Sequence, residues 1–186
     1  MKDPRKISFL ALVFIDLALL GLPEGTLTVE GGGSFDISGK KMVIEAPDGS
    51  IFEHQSFDVG VDESVQFNQP DKFSRVLNRI TGPAPSLIDG QIHANGELYL
   101  VNPAGVIFGT GAVIEAARLH AIAGTISNND FSNGLENFTS LEAQVRNEGI
   151  IKAEHITLAG SSVTNAGILN ASTGSAVLSA SGSMSM

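Results

Sequence analysis

Apolar and polar positions alternate in short bursts along this chain, and turn-forming residues interrupt almost every burst. Thr26–Glu30 and Lys41–Glu45 alternate with period two, and Gly31-Gly32-Gly33 breaks the pattern between them. That period predicts short strands. Pro47-Asp48-Gly49 supplies the acceptor and the φ > 0 residue of a tight turn. Ile51–Phe57 and Val59–Val65 repeat the period, with Gly60 as a bend between them. In Gln69–Asn78, Phe73, Val76 and Leu77 fall at helical spacing and predict one short helix or turn. Thr81–Ser86 carries Pro83 and Pro85, so it reads as an irregular loop.

The stretch Glu97–Gly109 sits at the centre of the pattern. Leu98–Val101 and Val106–Phe108 are apolar runs joined by Asn102-Pro103-Ala104-Gly105. The linker reads as a type I turn, with Asn at its first position, Pro presetting φ at the second and Gly at the fourth. Pro103 donates no hydrogen bond, so the two runs cannot be one continuous strand. So tight a turn between apolar runs predicts a buried bend between sheets. Asn102→Ala should then remove one acceptor, at roughly 0.5–1.5 kcal/mol. Pro103→Ala should cost about 0.5–1 kcal/mol through the entropy of the unfolded chain.

Beyond residue 90 the strands shorten and repeat. Gly90–Gly96, Asn102–Gly109 and Gly111–Ala116 are each a few strand residues between turn residues, and Leu119–Ile126 is another apolar strand. Asn128–Thr139 is polar apart from Phe131, Leu135 and Phe138. It reads as an excursion from the main body, anchored by its two aromatics. Val145–Ala153 superposes on Val163–Ala171, aligning Asn147 with Asn165, Gly149 with Gly167, Ile150 with Ile168 and Ala153 with Ala171. A fixed period near twenty, with short strands and Asn/Gly corners, marks a right-handed parallel β-helix from about residue 90 onward. The fold class predicted is all-β.

Composition narrows the function classes. The 186 residues suit one domain with a sizeable core; 42% are hydrophobic and only 17% charged. There is no cysteine, which removes disulfides and thiolate metal sites. The formal net charge of −9 argues against nucleic acid as a partner. Met1–Pro23 reads as a signal peptide: Lys2, Arg5 and Lys6 form a basic start, and Ile7–Leu20 an apolar stretch interrupted by Asp16. A buried N-terminal element of the fold is the competing reading. The chain ends at Ser179–Met186 without a capping helix or charged edge, which reads as a truncated helix of coils.

Candidate chemistry is sparse. His54, His93, His120 and His155 are scattered without metal-ligand spacing, so no metal site is predicted. Gly31-Gly32-Gly33-Ser34 lacks the lysine and helix of a phosphate loop. Asp62 and Glu63 are adjacent and would face opposite ways on a strand. Glu115 and Arg118 are the nearest approach to an acid–base pair in the repeats, and Arg75 and Arg79 read as solvated surface residues. No catalytic residue and no cofactor is predicted.

Asn102-Pro103-Ala104-Gly105-Val106-Ile107-Phe108-Gly109 resembles the Asn-Pro-Asn-Gly-Ile signature of the N-terminal secretion domain of filamentous haemagglutinin-like proteins, with Ala104 replacing the second Asn. His54–Gly60, Val65–Pro70, Asn78–Gly82 and Asn95–Leu100 resemble further phrases of that family in order and spacing. The resemblance implies a two-partner secretion domain over residues 24–186, with an N-terminal β cap over a β-helix and a short extra-helical excursion. It implies export through the periplasm of a Gram-negative-type bacterium to the surface or medium. The implied partner is an outer-membrane transporter's periplasmic domains, and a host or cell-surface ligand would be met through the missing C-terminal region. Asn102, Pro103 and Gly105, supported by Asn78, Gly82, Asn95 and Gly96, are the residues placed in transporter recognition or in turn formation. A carbohydrate-active β-helix enzyme and a passive adhesin surface are the alternatives.

Overall fold

A computed structural model describes residues 21–181 and 184–185. The leader reading of Met1–Pro23 therefore lies almost wholly outside the described residues. The chain winds into a parallel β-helix of about six coils whose walls are three sheets. The first wall contains β1 (Leu27–Glu30), β4 (Ser50–His54), β6 (Arg75–Ile80), β9 (Glu97–Val101), β12 (Arg118–Ile122), β16 (His155–Gly160) and β19 (Ala176–Ala180). The second stacks β7 (Ser86–Ile88), β10 (Val106–Phe108), β14 (Gln144–Asn147) and β17 (Ser162–Asn165). The third stacks β2 (Ser34–Ser38), β3 (Lys41–Glu45), β5 (Ser64–Asn68), β8 (Gln91–Ala94), β11 (Val113–Glu115), β15 (Ile150–Ala153) and β18 (Ile168–Ala171).

The repeat seen in the sequence is the physical stacking. Val145 lies opposite Val163, Asn147 opposite Asn165, Ile150 opposite Ile168 and Ala153 opposite Ala171. The amide of Asn147 donates to Asn165 Oδ1 at 2.8 Å, so the aligned asparagines form a rung between coils. Inside the helix, Phe52, Phe67, Phe108, Ile44, Ile92, Ile114, Leu119 and Ile156 belong to one continuous core. Burying such a row at about 25 cal/mol per Å² is the main stabilisation of each added coil.

Two boundaries differ from the sequence reading. Parallel stacking begins well before residue 90: Lys41–Glu45 pairs with Ser64–Asn68, and Ser50–His54 with Arg75–Ile80. Among the described residues, the cap strands are β1 and β2, each antiparallel to the first coil. Val59–Glu63 is mostly turn, touching the wall at one bridge from Val59 to Ile88. Of the short helix or turn predicted at Gln69–Asn78, the turn forms and the helix does not. Asp71 Oδ1 accepts the Phe73 and Ser74 amides at 2.8 and 2.9 Å, closing a tight turn, and Arg75 then opens β6. The Phe73 amide foremost, then the Ser74 hydroxyl and the Ser74 amide, hold the exposed Asp71 carboxyl below its usual range. Val76 faces the core while Leu77 faces an outer apolar layer, so β6 is apolar on both faces and its spacing mimics a helix.

The excursion forms as expected. Asn128–Ser132 is α1, capped by Ser127, whose hydroxyl accepts the Asp130 amide at 3.0 Å. β13 (Asn137–Phe138) follows and pairs antiparallel with β20 (Met184–Ser185). Phe131 and Phe138 are buried, with Leu141, against Ile51, Leu77, Tyr99, Val101 and Ile122 on the outer face of the first wall.

Candidate functional site

The turn at the centre of the sequence is a corner between the first and second walls. The Gly105 amide donates to the Asn102 carbonyl at 3.0 Å, closing the turn, and Gly105 has φ +119°. Only glycine adopts that angle without strain. Asn102 is fully buried. Its Oδ1 accepts the Ala104 amide at 2.9 Å, and its Nδ2 donates to the Ala84 carbonyl and Ser86 Oγ, each at 3.0 Å. The side chain therefore holds its own turn and also ties it to the corner of the coil below. Pro103 is the exposed member, and Ala104 is half-buried.

The supporting residues do not gather around this corner. Gly82 lies on the same line of corners, where a Cβ would fall on the Gln55 carbonyl. Asn95 and Gly96 lie on the corner between the third and first walls. Asn95 exchanges two 2.7 Å hydrogen bonds with the Gln69 backbone, and the Gly96 amide donates to Gln69 Oε1 at 3.1 Å. Asn78 is inside the helix. Its Oδ1 accepts from His54 Nε2 at 3.0 Å, and its Nδ2 donates to the Tyr99 carbonyl at 3.3 Å. For this network to close, His54 carries its proton on Nε2 and accepts the Thr26 hydroxyl at Nδ1, 2.9 Å away. Burial pushes the His54 imidazole down to about 4, against the raising pull of Asn78.

Three residue groups set aside in the sequence have definite places. Arg75 donates to the Phe131 carbonyl at 2.8 Å, and Arg79 to the Ile126 carbonyl and Asn128 Oδ1 at 2.9 and 2.7 Å. Both fasten the excursion to the wall, contrary to the surface reading. Asp62 and Glu63 belong to a turn. Asp62 has φ +66°, and Glu63 accepts the Gly60 amide at 2.7 Å. Glu115 pairs with Lys152 at 2.9 Å on the third wall, away from Arg118 on the first.

Sequence reasoning missed one cluster. On the outer face of the first wall, His120 Nε2 lies 2.9 Å from Glu97 Oε1 and 3.7 Å from Glu136 Oε1. The Tyr99 hydroxyl is 3.0 and 3.2 Å from the same two oxygens, and its ring stacks on His120 at 4.2 Å. Burial, followed by the two carboxylates, raises the Tyr99 hydroxyl far above its usual range. Burial alone would raise the Glu97 carboxyl; His120, Tyr99 and Arg118 outweigh it and hold the group below its usual range. Only coil stacking and the excursion bring these residues together, so no spacing along the chain marks them.

Comparison with known proteins agrees with this architecture. The model of the TPS secretion domain, the two-partner secretion family, matches residues 21–185. A heme/hemopexin-binding protein of Haemophilus influenzae is 39% identical over 174 residues, covering 87% of this chain and 19% of that protein. A second heme/hemopexin-binding protein of Haemophilus influenzae is 34% identical over 129 residues, covering 68% of this chain and 13% of its own length. The chain thus spans less than a fifth of either relative. The crystal structure of the HMW1 secretion domain from Haemophilus influenzae superposes with a TM-score of 0.75 at 26% identity, covering 88% of this chain and 46% of that one. With its capped coils, its Asn102 corner and a family match over nearly every described residue, the chain belongs to the TPS secretion domain family.

Proposed function

We propose that this domain addresses its exoprotein to a cognate outer-membrane transporter, whose periplasmic domains bind the segment around Asn102–Gly105 while it is still extended. The observation that carries this reading is the complete burial of Asn102, with both side-chain polar atoms engaged. A folded corner offers a partner little beyond Pro103 and Ala104. The extended segment offers backbone donors and acceptors for strand addition. Closure of the corner at the cell surface then withdraws the segment from the transporter, and coil-by-coil burial of the core favours the exported state. Export through the periplasm follows from this role.

Asn147 supplies the control, since it is equally buried and its amide bonds Asn165 and Gly149 at another corner. Asn102→Ala and Asn147→Ala should both lower stability, but only Asn102→Ala should block export from cells carrying the transporter. Pro103→Ala should weaken export while leaving the melting temperature within a few degrees. Equal export of Asn102→Ala and Asn147→Ala at matched melting temperatures would reduce the motif to a turn.

A further inference from the structure

The export role proposed above makes no use of the cluster of Glu97, His120 and Glu136. We propose that it binds a divalent transition-metal ion of the zinc class, through His120 Nε2 and one carboxylate oxygen each from Glu97 and Glu136.

The donor atoms already converge. One from each residue lies within 4.8 Å of the others, with Glu97 and His120 buried and Glu136 partly so. One imidazole nitrogen with two carboxylate oxygens suits a borderline ion such as zinc, whereas magnesium and calcium favour all-oxygen sets. Hydrogen bonding alone leaves the cluster short of positive charge. The hydroxyl proton of Tyr99 and the Nε2 proton of His120 are shared among four approaches to two carboxylates. Neither lysine nor arginine makes an ion pair with them among the described residues, and Arg118 reaches Glu97 through its charge only.

The other ring nitrogen bears on the protonation state that such binding requires. His120 Nδ1 is buried and makes no hydrogen bond; among the described residues, no other buried side-chain nitrogen or oxygen lacks a partner. Binding at Nε2 displaces the proton that Nε2 shares with the carboxylates, and Nδ1 is then the ring nitrogen left to carry one. The cluster also has a way in. A groove of about 180 Å³, lined by Arg118, His120, Glu136, His155, Thr157 and Ser175, opens beside it. With the ion in place, the Tyr99 hydroxyl would orient a ligating carboxylate from outside, the usual office of a neighbouring hydrogen bond. Because Glu136 sits on the excursion and the other two ligands on the wall, the ion would also pin the excursion down.

The test uses the full chain stripped with EDTA, titrated calorimetrically with zinc chloride near neutral pH and melted with and without excess zinc. The expected result is one saturable equivalent and a melting temperature raised by several degrees, with magnesium giving neither. Glu136→Gln and His120→Gln should each weaken zinc binding at least ~10-fold. His93→Gln, which removes one member of the exposed His93–Glu115 pair at 3.8 Å, should leave it unchanged. Melting in EDTA checks that each variant folds; should His120→Gln fail to fold, Glu136→Gln decides alone. Absence of saturable zinc binding, or a single equivalent bound undiminished by Glu136→Gln, overturns the proposal.

Discussion

Replacing Asn102 by Ala should destabilise this domain well beyond what a single turn acceptor is worth. The sequence suggests one lost hydrogen bond, whereas the structure shows three, reaching two segments of the chain. The bond to Ser86 Oγ is buried, and losing its partner there costs about 1–3 kcal/mol. The bonds to the Ala84 carbonyl and from the Ala104 amide are partly buried; water reaches part of each, so each adds about 0.5–1.5 kcal/mol. The three together come to about 2–6 kcal/mol, centred on ~4 kcal/mol, against a total stability of about 5–15 kcal/mol for a domain. At about 2–4 °C per kcal/mol for this size, the central value lowers the melting temperature by about 8–16 °C. The variant still folds at room temperature, because the backbone bond from Gly105 to Asn102 and the surrounding coils remain. Thermal melts of the full chain by calorimetry and far-UV circular dichroism measure the shift. A fall smaller than about 2 °C would mean that the corner does not depend on the side chain, and the reasoning would fail.

Three other outcomes are expected. His54 holds a folded pKa near 4, below the ordinary 6.5, so the unfolded chain carries the extra proton in acid. Its contribution is therefore complete above about pH 6.5 and is lost as pH falls toward 4, by roughly 3 kcal/mol; urea midpoints against pH measure this, and a His54 proton-resonance titration centred near 6.5 would contradict it. Arg79→Ala removes the Glu53 ion pair and both bonds to the excursion, so protease should cut faster within residues 133–136 while the β-sheet spectrum stays unchanged. Gly82→Ala drives a Cβ into the Gln55 carbonyl, which cannot swing aside as a side-chain tip could, and should cost at least about 1–3 kcal/mol in the urea midpoint.

The repeat was legible where equal coils stack like on like. Asn147 over Asn165 and Ile150 over Ile168 put the same chemistry at the same height, so alignment of the sequence with itself reveals the ladder. The earlier coils hide theirs. Lys41 faces Ser64, Ser64 faces Gln91 and Gln91 faces Val113, steps of unequal length whose paired residues differ in type. The central turn was legible because Pro and Gly constrain the backbone whatever surrounds them. The second partner of Asn102 was not, since the Ala84–Ser86 segment meets it only after a full coil has closed.

The same distinction explains the outer layer. Phe131 and Phe138 lie in a polar segment, and large aromatics are seldom left in water, so a docked excursion could be expected. What it docks against depends on which strand face points outward, and that is settled by the winding of the coils. Leu77, Tyr99, Val101 and Ile122 form an outward apolar strip that a bare β-helix would expose to solvent. The excursion is the cover that this strip requires. Arg75 and Arg79, whose bonds to it look like surface solvation in the sequence, have their roles set by that cover. Tyr99 and His120 lie beneath it as well, and Glu136 arrives with it. One inserted segment thus converts an exposed wall into a second core and assembles the cluster at its edge.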